Sequence, residues 1–182
     1  METKAIYIPG INSSIKRLYN KVKRKFPYLE INIWDSRWLN EFMIHQPARF
    51  YILVEVEKDA MEPVFYFLHD TKSEVYLDPT SSILYQYARD AAAIIITNLV
   101  TEAPTQKIKD VTTATLEKIL VDVYCNEKIF YAHQGHEMTV IFNEAFKKYR
   151  IEKSKLVRYA ARRGKKTELQ RFINEILRNG NY

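Results

Sequence analysis

Phe50-Tyr51-Ile52-Leu53-Val54-Glu55-Val56 is the stretch from which the fold can be read. It is rich in β-branched and aromatic residues and apolar on both faces over its first half. That combination predicts a central strand covered from both sides. Ala93 to Thr97 reads as a second fully apolar short strand. Between the two, Asp59 and Pro63 predict the start of a helix through Leu68, since proline suits a first turn. Val75 to Leu77 then predicts a short strand, and Ser81 to Ala88 a further helix.

Towards the N-terminus, Leu29 to Trp34 alternates as a strand, and Ser36 is the expected N-cap of a short helix through Met43, closed by Pro47. From Ser13, the apolar residues Ile15, Leu18, Tyr19, Val22 and Phe26 recur at helical spacing until Pro27. The first apolar run, Ala5 to Ile8, predicts an edge or opening strand. Pro9 to Ser13 is an ordinary strand-to-helix turn. With four glycines and no phosphate-loop pattern, nucleotide binding is not expected.

Beyond Thr97 the chain is expected to turn helical. Thr113 or Thr115 caps a helix whose face is Leu116, Ile119, Leu120, Val123 and Tyr124. Met138, Ile141, Phe142, Ala145, Phe146 and Tyr149 mark the next. Two more flank Gly164, which fits a helix end in left-handed conformation, and the last buries Leu169, Phe172, Ile173, Ile176 and Leu177. The expected fold is α/β (α+β): a small mixed β-sheet with flanking helices and a helical C-terminal third. One domain over 1–182 is expected, with 1–112 as the α/β body and 113–182 packed on it.

Of 182 residues, 47% are hydrophobic and 13% aromatic, enough for a packed core. The single cysteine, Cys125, excludes an internal disulfide and is typical of a reducing compartment. No apolar run approaches the roughly 20 residues of a membrane span, and the first residues lack the order of a signal peptide. The cytoplasm is the expected location, with no membrane contact. The net charge of +6 is unevenly spread. Residues 16–25 hold six Lys/Arg and no acid; 26–146 sum to −9; 147–178 hold twelve basic and three acidic residues. Such asymmetry fits an anionic partner, nucleic acid or an acidic protein surface, or else solvated helix faces.

Lys155, Arg158 and Arg162 fall on one helix face, and Arg163, Lys165 and Lys166 crowd the next turn. In the last helix Glu168, Arg171, Glu175 and Arg178 alternate in sign, so the unbalanced charge concentrates at 155–166. Those six cations are the candidate partner-binding residues, while Tyr159 is expected to pack. The alternative is a nuclease of restriction-endonuclease type, with Asp35 closing one strand and Glu55, Glu57 and Lys58 on or after the next. The Glu-x-Glu-Lys spacing puts the lysine on the wrong face for that pattern. His133 and His136 are one ligand short of a zinc site and read as polar surface; His45-Gln46-Pro47 reads as a helix exit. No cofactor or metal is expected, and no activated nucleophile stands out.

Thr101-Glu102-Ala103-Pro104, Leu116-Glu117-Lys118-Ile119-Leu120-Val121-Asp122, and Leu156 with Tyr159-Ala160 and Arg162-Arg163-Gly164 resemble the C-terminal domain of AbiE-type antitoxins. These are the antitoxin halves of type IV abortive-infection toxin–antitoxin systems, paired with a nucleotidyltransferase toxin. The match lies mainly in residues 95–170. Trp34, Trp38 to Phe42 and His45-Gln46-Pro47 resemble uncharacterised bacterial relatives of that family. The resemblance implies a scaffold role for Leu116–Asp122, a non-enzymatic protein, and basic C-terminal helices that bind DNA, RNA or the toxin. Family members carry an N-terminal winged helix; this chain opens on a strand-like run at residue 5, so the resemblance does not extend to promoter recognition or autoregulation. A third expectation is a purely structural interaction domain.

Overall fold

The computed structural model describes residues 4–72, 74–88 and 92–179. Four strands form a mixed sheet in the order β1-β2-β4-β3. They are β1 (Ile31–Asp35), β2 (Phe50–Val56), β3 (Val75–Leu77) and β4 (Ala92–Asn98). β1 runs antiparallel to β2, whereas β2 and β3 both run parallel to β4. β2 and β4 take the two central places, a position predicted for β2 from its apolar first half. The fold is α+β, with a helical C-terminal portion.

Strand alternation divides the core in two. Ile31, Ile33, Ile52, Val54, Val56, Ile94 and Ile96 point to one face. There they meet α1 (Ser13–Lys25) and α2 (Met61–His69) through Ile15, Leu18, Val22, Val64 and Leu68. Trp34, Tyr51, Leu53, Ala93 and Ile95 point to the other face. It is covered by α3 (Ser81–Tyr87), α4 (Leu116–Cys125), α5 (His136–Lys148), α6 (Lys153–Arg162) and α7 (Lys166–Asn179).

The local signals explain most ends. Asn12 caps α1 by accepting from the Ile15 N–H at 2.9 Å. Thr115, not Thr113, caps α4; the Thr113 hydroxyl instead donates to the Ile33 carbonyl at 2.6 Å, tying the second sheet to β1. Gly164 has φ +69 and closes α6 in a Schellman motif, with Gly164 N–H donating to Ala161 O and Lys165 N–H to Ala160 O.

Three expectations are corrected. Ala5–Ile8 forms no strand; only Ala5 bridges, to Tyr149, leaving Ile6 and Ile8 exposed. The segment Ser36–Phe42 is a 3-10 helix capped by Asp35, because Ser36 Oγ is used to accept from the Tyr51 N–H at 2.8 Å. Residues 105–114 are not part of a helical region but a hairpin, β5 (Thr105–Ile108) and β6 (Val111–Ala114). Its turn places Lys109 at φ 49 and Asp110 at φ 66, the left-handed pair of a tight hairpin turn made without glycine. Among the described residues no helix is long and apolar enough to cross a membrane.

Candidate functional site

The sequence led to four places: the C-terminal cations, the strand carboxylates, the histidines and the family-like motifs. α6 presents Lys155, Arg158 and Arg162 towards the loop before the hairpin. Lys155 Nζ sits 2.9 Å from Glu152 Oε1, and Arg162 grips both carboxylate oxygens of Glu102. Arg162 holds the Glu102 carboxyl below its ordinary range through that hydrogen bond. Lys165 lies 3.9 Å from Glu168. Arg163 turns inward, its side chain only 19% exposed and 3.5 Å from Asp122. Among the described residues, Arg158 and Lys166 form no ion pair, and both are exposed. Arg158 and Lys155 border a shallow cleft of about 460 Å³ walled by Glu102, Ala103, Pro104 and Thr115.

The family-like motifs meet inside the protein. Lys118 is 1% exposed, with Nζ 2.6 and 2.7 Å from the two Glu55 oxygens and bonded to Asp122 one helical turn on. Tyr159 donates to Asp122 at 2.8 Å. Asn32 and the Trp34 indole donate to Glu55 at 2.5 and 3.3 Å. Two carboxylates thus face Lys118 and Arg163, and the charges cancel. Burial pushes the Glu55 carboxyl up, and Lys118 opposes that shift. Burial works against the Lys118 ammonium, but Asp122 and Glu55 outweigh it and raise its pKa. Burial likewise raises the Tyr159 phenol, so it serves as a neutral donor. This cluster locks β1 and β2 to α4 and α6. Tyr159 packs, as expected, and is 1% exposed.

The structure does not bring the candidate nuclease residues together. Asp35 pairs in register with Ile52, and Asn32 with Glu55. Cross-strand partners share a face, and Ile52 and Glu55 lie three apart on one strand, so Asp35 and Glu55 point to opposite sides of the sheet. Asp35 is held by Arg37 in a two-point ion pair at 2.5 to 3.0 Å. Glu57 and Lys58 are exposed beyond the strand end. Among the described residues no group of three or more His, Cys, Asp or Glu is placed to hold a metal ion.

His133 is buried rather than part of the polar surface, and among the described residues neither ring nitrogen has a hydrogen-bond partner. Burial lowers its pKa to about 4, so the ring is neutral at pH 7. It borders a cleft of about 280 Å³ with Arg49, Tyr51, Tyr85 and Tyr131. His136 is exposed at the start of α5, and His45 pairs with Glu137 at 2.8 Å.

Sequence reasoning counted the charges of α1 but named none as a site. Lys16, Arg17, Lys21, Lys23, Arg24 and Lys25 all lie outside its buried stripe of Ile15, Leu18, Tyr19 and Val22. None of the six forms an ion pair among the described residues. The signal was present in the absence of any acid over residues 16–25.

The chain belongs to a family of unknown function, DUF6577, whose model matches residues 1–179. No curated protein and no solved structure matches it.

Proposed function

We propose that this member of the DUF6577 family is a non-enzymatic, antitoxin-like binding protein of an abortive-infection type system. Its α6–α7 surface engages a nucleotidyltransferase toxin. The carrying observation is the interleaving of charge on that surface. Arg158 and Lys166 stand free beside the pairs Lys155–Glu152, Arg162–Glu102 and Lys165–Glu168. A surface of alternating sign suits a protein partner with its own mixed charges, since it sets register and rejects wrong partners. It suits a polyanion less well, because Glu102, Glu152 and Glu168 repel phosphate. Of the carboxylates that could have served a nuclease, Asp35 and Glu55 are held in ion pairs on opposite faces of the sheet and Glu57 lies exposed beyond the strand end, which favours binding over metal-dependent cleavage.

The test is co-expression with the product of the neighbouring reading frame. A nucleotidyltransferase there should co-elute with this chain, and Arg158→Glu with Lys166→Glu should weaken the complex by at least about tenfold, the cost of like-charge contacts at an interface. A neighbour of another class, or a complex indifferent to both substitutions, overturns the assignment. So does Mg²⁺- or Mn²⁺-dependent cleavage of plasmid DNA that is lost in Glu55→Ala.

A further inference from the structure

We infer that the outer face of α1, with the hollow at its C-terminal end, binds a single strand of nucleic acid. The phosphates would lie along the helix and a base would enter the hollow. This surface lies on the opposite side of the sheet from α6–α7, so it is a second site and not an extension of the first.

Charge comes first. Arg17, Lys21, Arg24 and Lys25 follow one another at helical spacing on the side of α1 away from its buried stripe. With 13 residues the helix is about 20 Å long, enough to track several phosphates. The C-terminal segment carries comparable charge but spends much of it on Glu102, Asp122, Glu152 and Glu168. On α1, charge is left for a ligand. Lys21 is steadied by the Thr71 hydroxyl at 2.5 Å, and Lys72 extends the basic surface from the end of α2. The Nζ atoms of Lys21 and Lys25 also lie 5.5 and 6.0 Å from the Phe67 ring centre, cation–π contacts that set where these charges sit.

The aromatic side chains favour a single strand over a duplex. Just past α1, Tyr28 is 99% exposed, so its ring is open to stacking by a ligand. It borders a broad, open hollow of about 510 Å³ with Lys25, Phe26, Pro63, Glu57 and Asp59. Phe26 is braced edge-on against Phe67 at 5.8 Å. Exposed rings beside a basic row are how sequence-tolerant single-strand sites gain affinity, by stacking on unpaired bases. Glu57 and Asp59 sort the strand further. They repel phosphate, which keeps the backbone on α1, and they can accept from the amino groups of a base in the hollow.

The probe is a fluorescein-labelled single strand of about 15 nucleotides, as DNA and as RNA. The corresponding duplex and full-length protein complete the assay, read by anisotropy. Four phosphate contacts on a single strand predict an affinity loss of about 50-fold between 50 and 200 mM salt. Arg17→Glu with Arg24→Glu and Lys25→Glu should weaken binding and reduce the slope of log affinity against log salt by about 2. Tyr28→Ala should cost about tenfold. Arg24→Glu alone, on an exposed position, gives a milder version should the triple variant unfold. Binding of either single strand with these losses supports the inference. An unchanged salt slope in the folded α1 variants overturns it, as does tighter binding of the duplex. Loss of binding through Arg158→Glu and Lys166→Glu instead would move the strand to α6–α7; toxin binding lost there while α1 keeps the strand leaves both readings standing.

Discussion

Replacing Lys118 with methionine removes one ammonium and keeps most of the side-chain stem. In the folded protein that ammonium is the shared partner of Glu55 and Asp122, all three being almost wholly shielded from water. Asn32, Trp34, Tyr159 and Arg163 remain, but they cannot supply a second full charge at Glu55. Removing one partner of a buried ion pair costs about 3–5 kcal/mol, because the other charge is left in a poor solvent. Against a total stability of about 5–15 kcal/mol, that is a large fraction. For a chain of this size it lowers the melting temperature by on the order of 10 °C. Urea unfolding followed by circular dichroism at pH 7 measures it directly. The pH dependence carries a second signature. Without Lys118, burial still pushes Glu55 up and Asp122 adds to the push. The folded variant then binds more protons than its unfolded chain, so its stability rises as the pH falls towards the ordinary carboxylate range. Adding Glu55→Gln and Asp122→Asn should recover much of the loss. A Lys118→Met variant within about 1 kcal/mol of the parent, or one with no acid-side recovery, would refute the reasoning.

His133 titrates at about 4 in the folded protein, against the ordinary value near 6.5. Between those values the unfolded chain binds a proton that the folded one does not, so stability falls by about 3 kcal/mol as the pH drops from 6.5 to 4. His133→Leu should flatten that limb in pH-resolved denaturation, at little cost at pH 7, since neither ring nitrogen has a partner to lose among the described residues. Gly164→Ala keeps the space, with nothing within 4 Å of a new Cβ, but forces alanine to φ +69. The melting temperature should fall by about 2–4 °C, the effect of roughly 1 kcal/mol of left-handed strain. Tyr159→Phe removes only the hydroxyl bonded to Asp122 at 2.8 Å. A loss of about 1.5–3 kcal/mol by urea denaturation is expected for a buried hydrogen bond to a charged group.

Much of the fold was legible because its signals are local. β2 read as a central strand from its apolar first half and β4 as a second apolar strand, and α1, α4, α5 and α7 read from helical spacing. The hairpin at 105–114 was not legible: its turn uses Lys109 and Asp110 at positive φ, where sequence reading looks for Asn or Gly. The relation of Asp35 to Glu55 was hidden for another reason. Each strand's alternation was visible, but the faces coincide or oppose only once the register is known, and Trp34 pairing with Leu53 sets it. The burial of Lys118 was not legible. The apolar face read as Leu116, Ile119, Leu120, Val123 and Tyr124, which leaves 118 and 122 off it, whereas in the folded protein every residue from Leu116 to Val123 is buried and the two charges pair inside.

That burial changes what the motif resemblance can carry. Lys118, Asp122, Tyr159 and Arg163 are prominent in the stretches that resemble AbiE-type antitoxins, and all four meet in one internal cluster. The cluster fixes how α4 and α6 dock on the sheet and contributes nothing to the outer surface. Arg163 therefore makes a poor probe of binding, because Arg163→Ala leaves Asp122 with one partner fewer in the interior and weakens the fold first. Partner choice has to reside in residues the motif leaves outside. On the α6 side these are Arg158 and Lys166, set among paired acids. On the α1 side they are the unpaired cations of the helix, with Glu57 and Asp59 set apart in the hollow at its end. Two surfaces of different charge texture, on opposite faces of one sheet, suit two different ligands better than one.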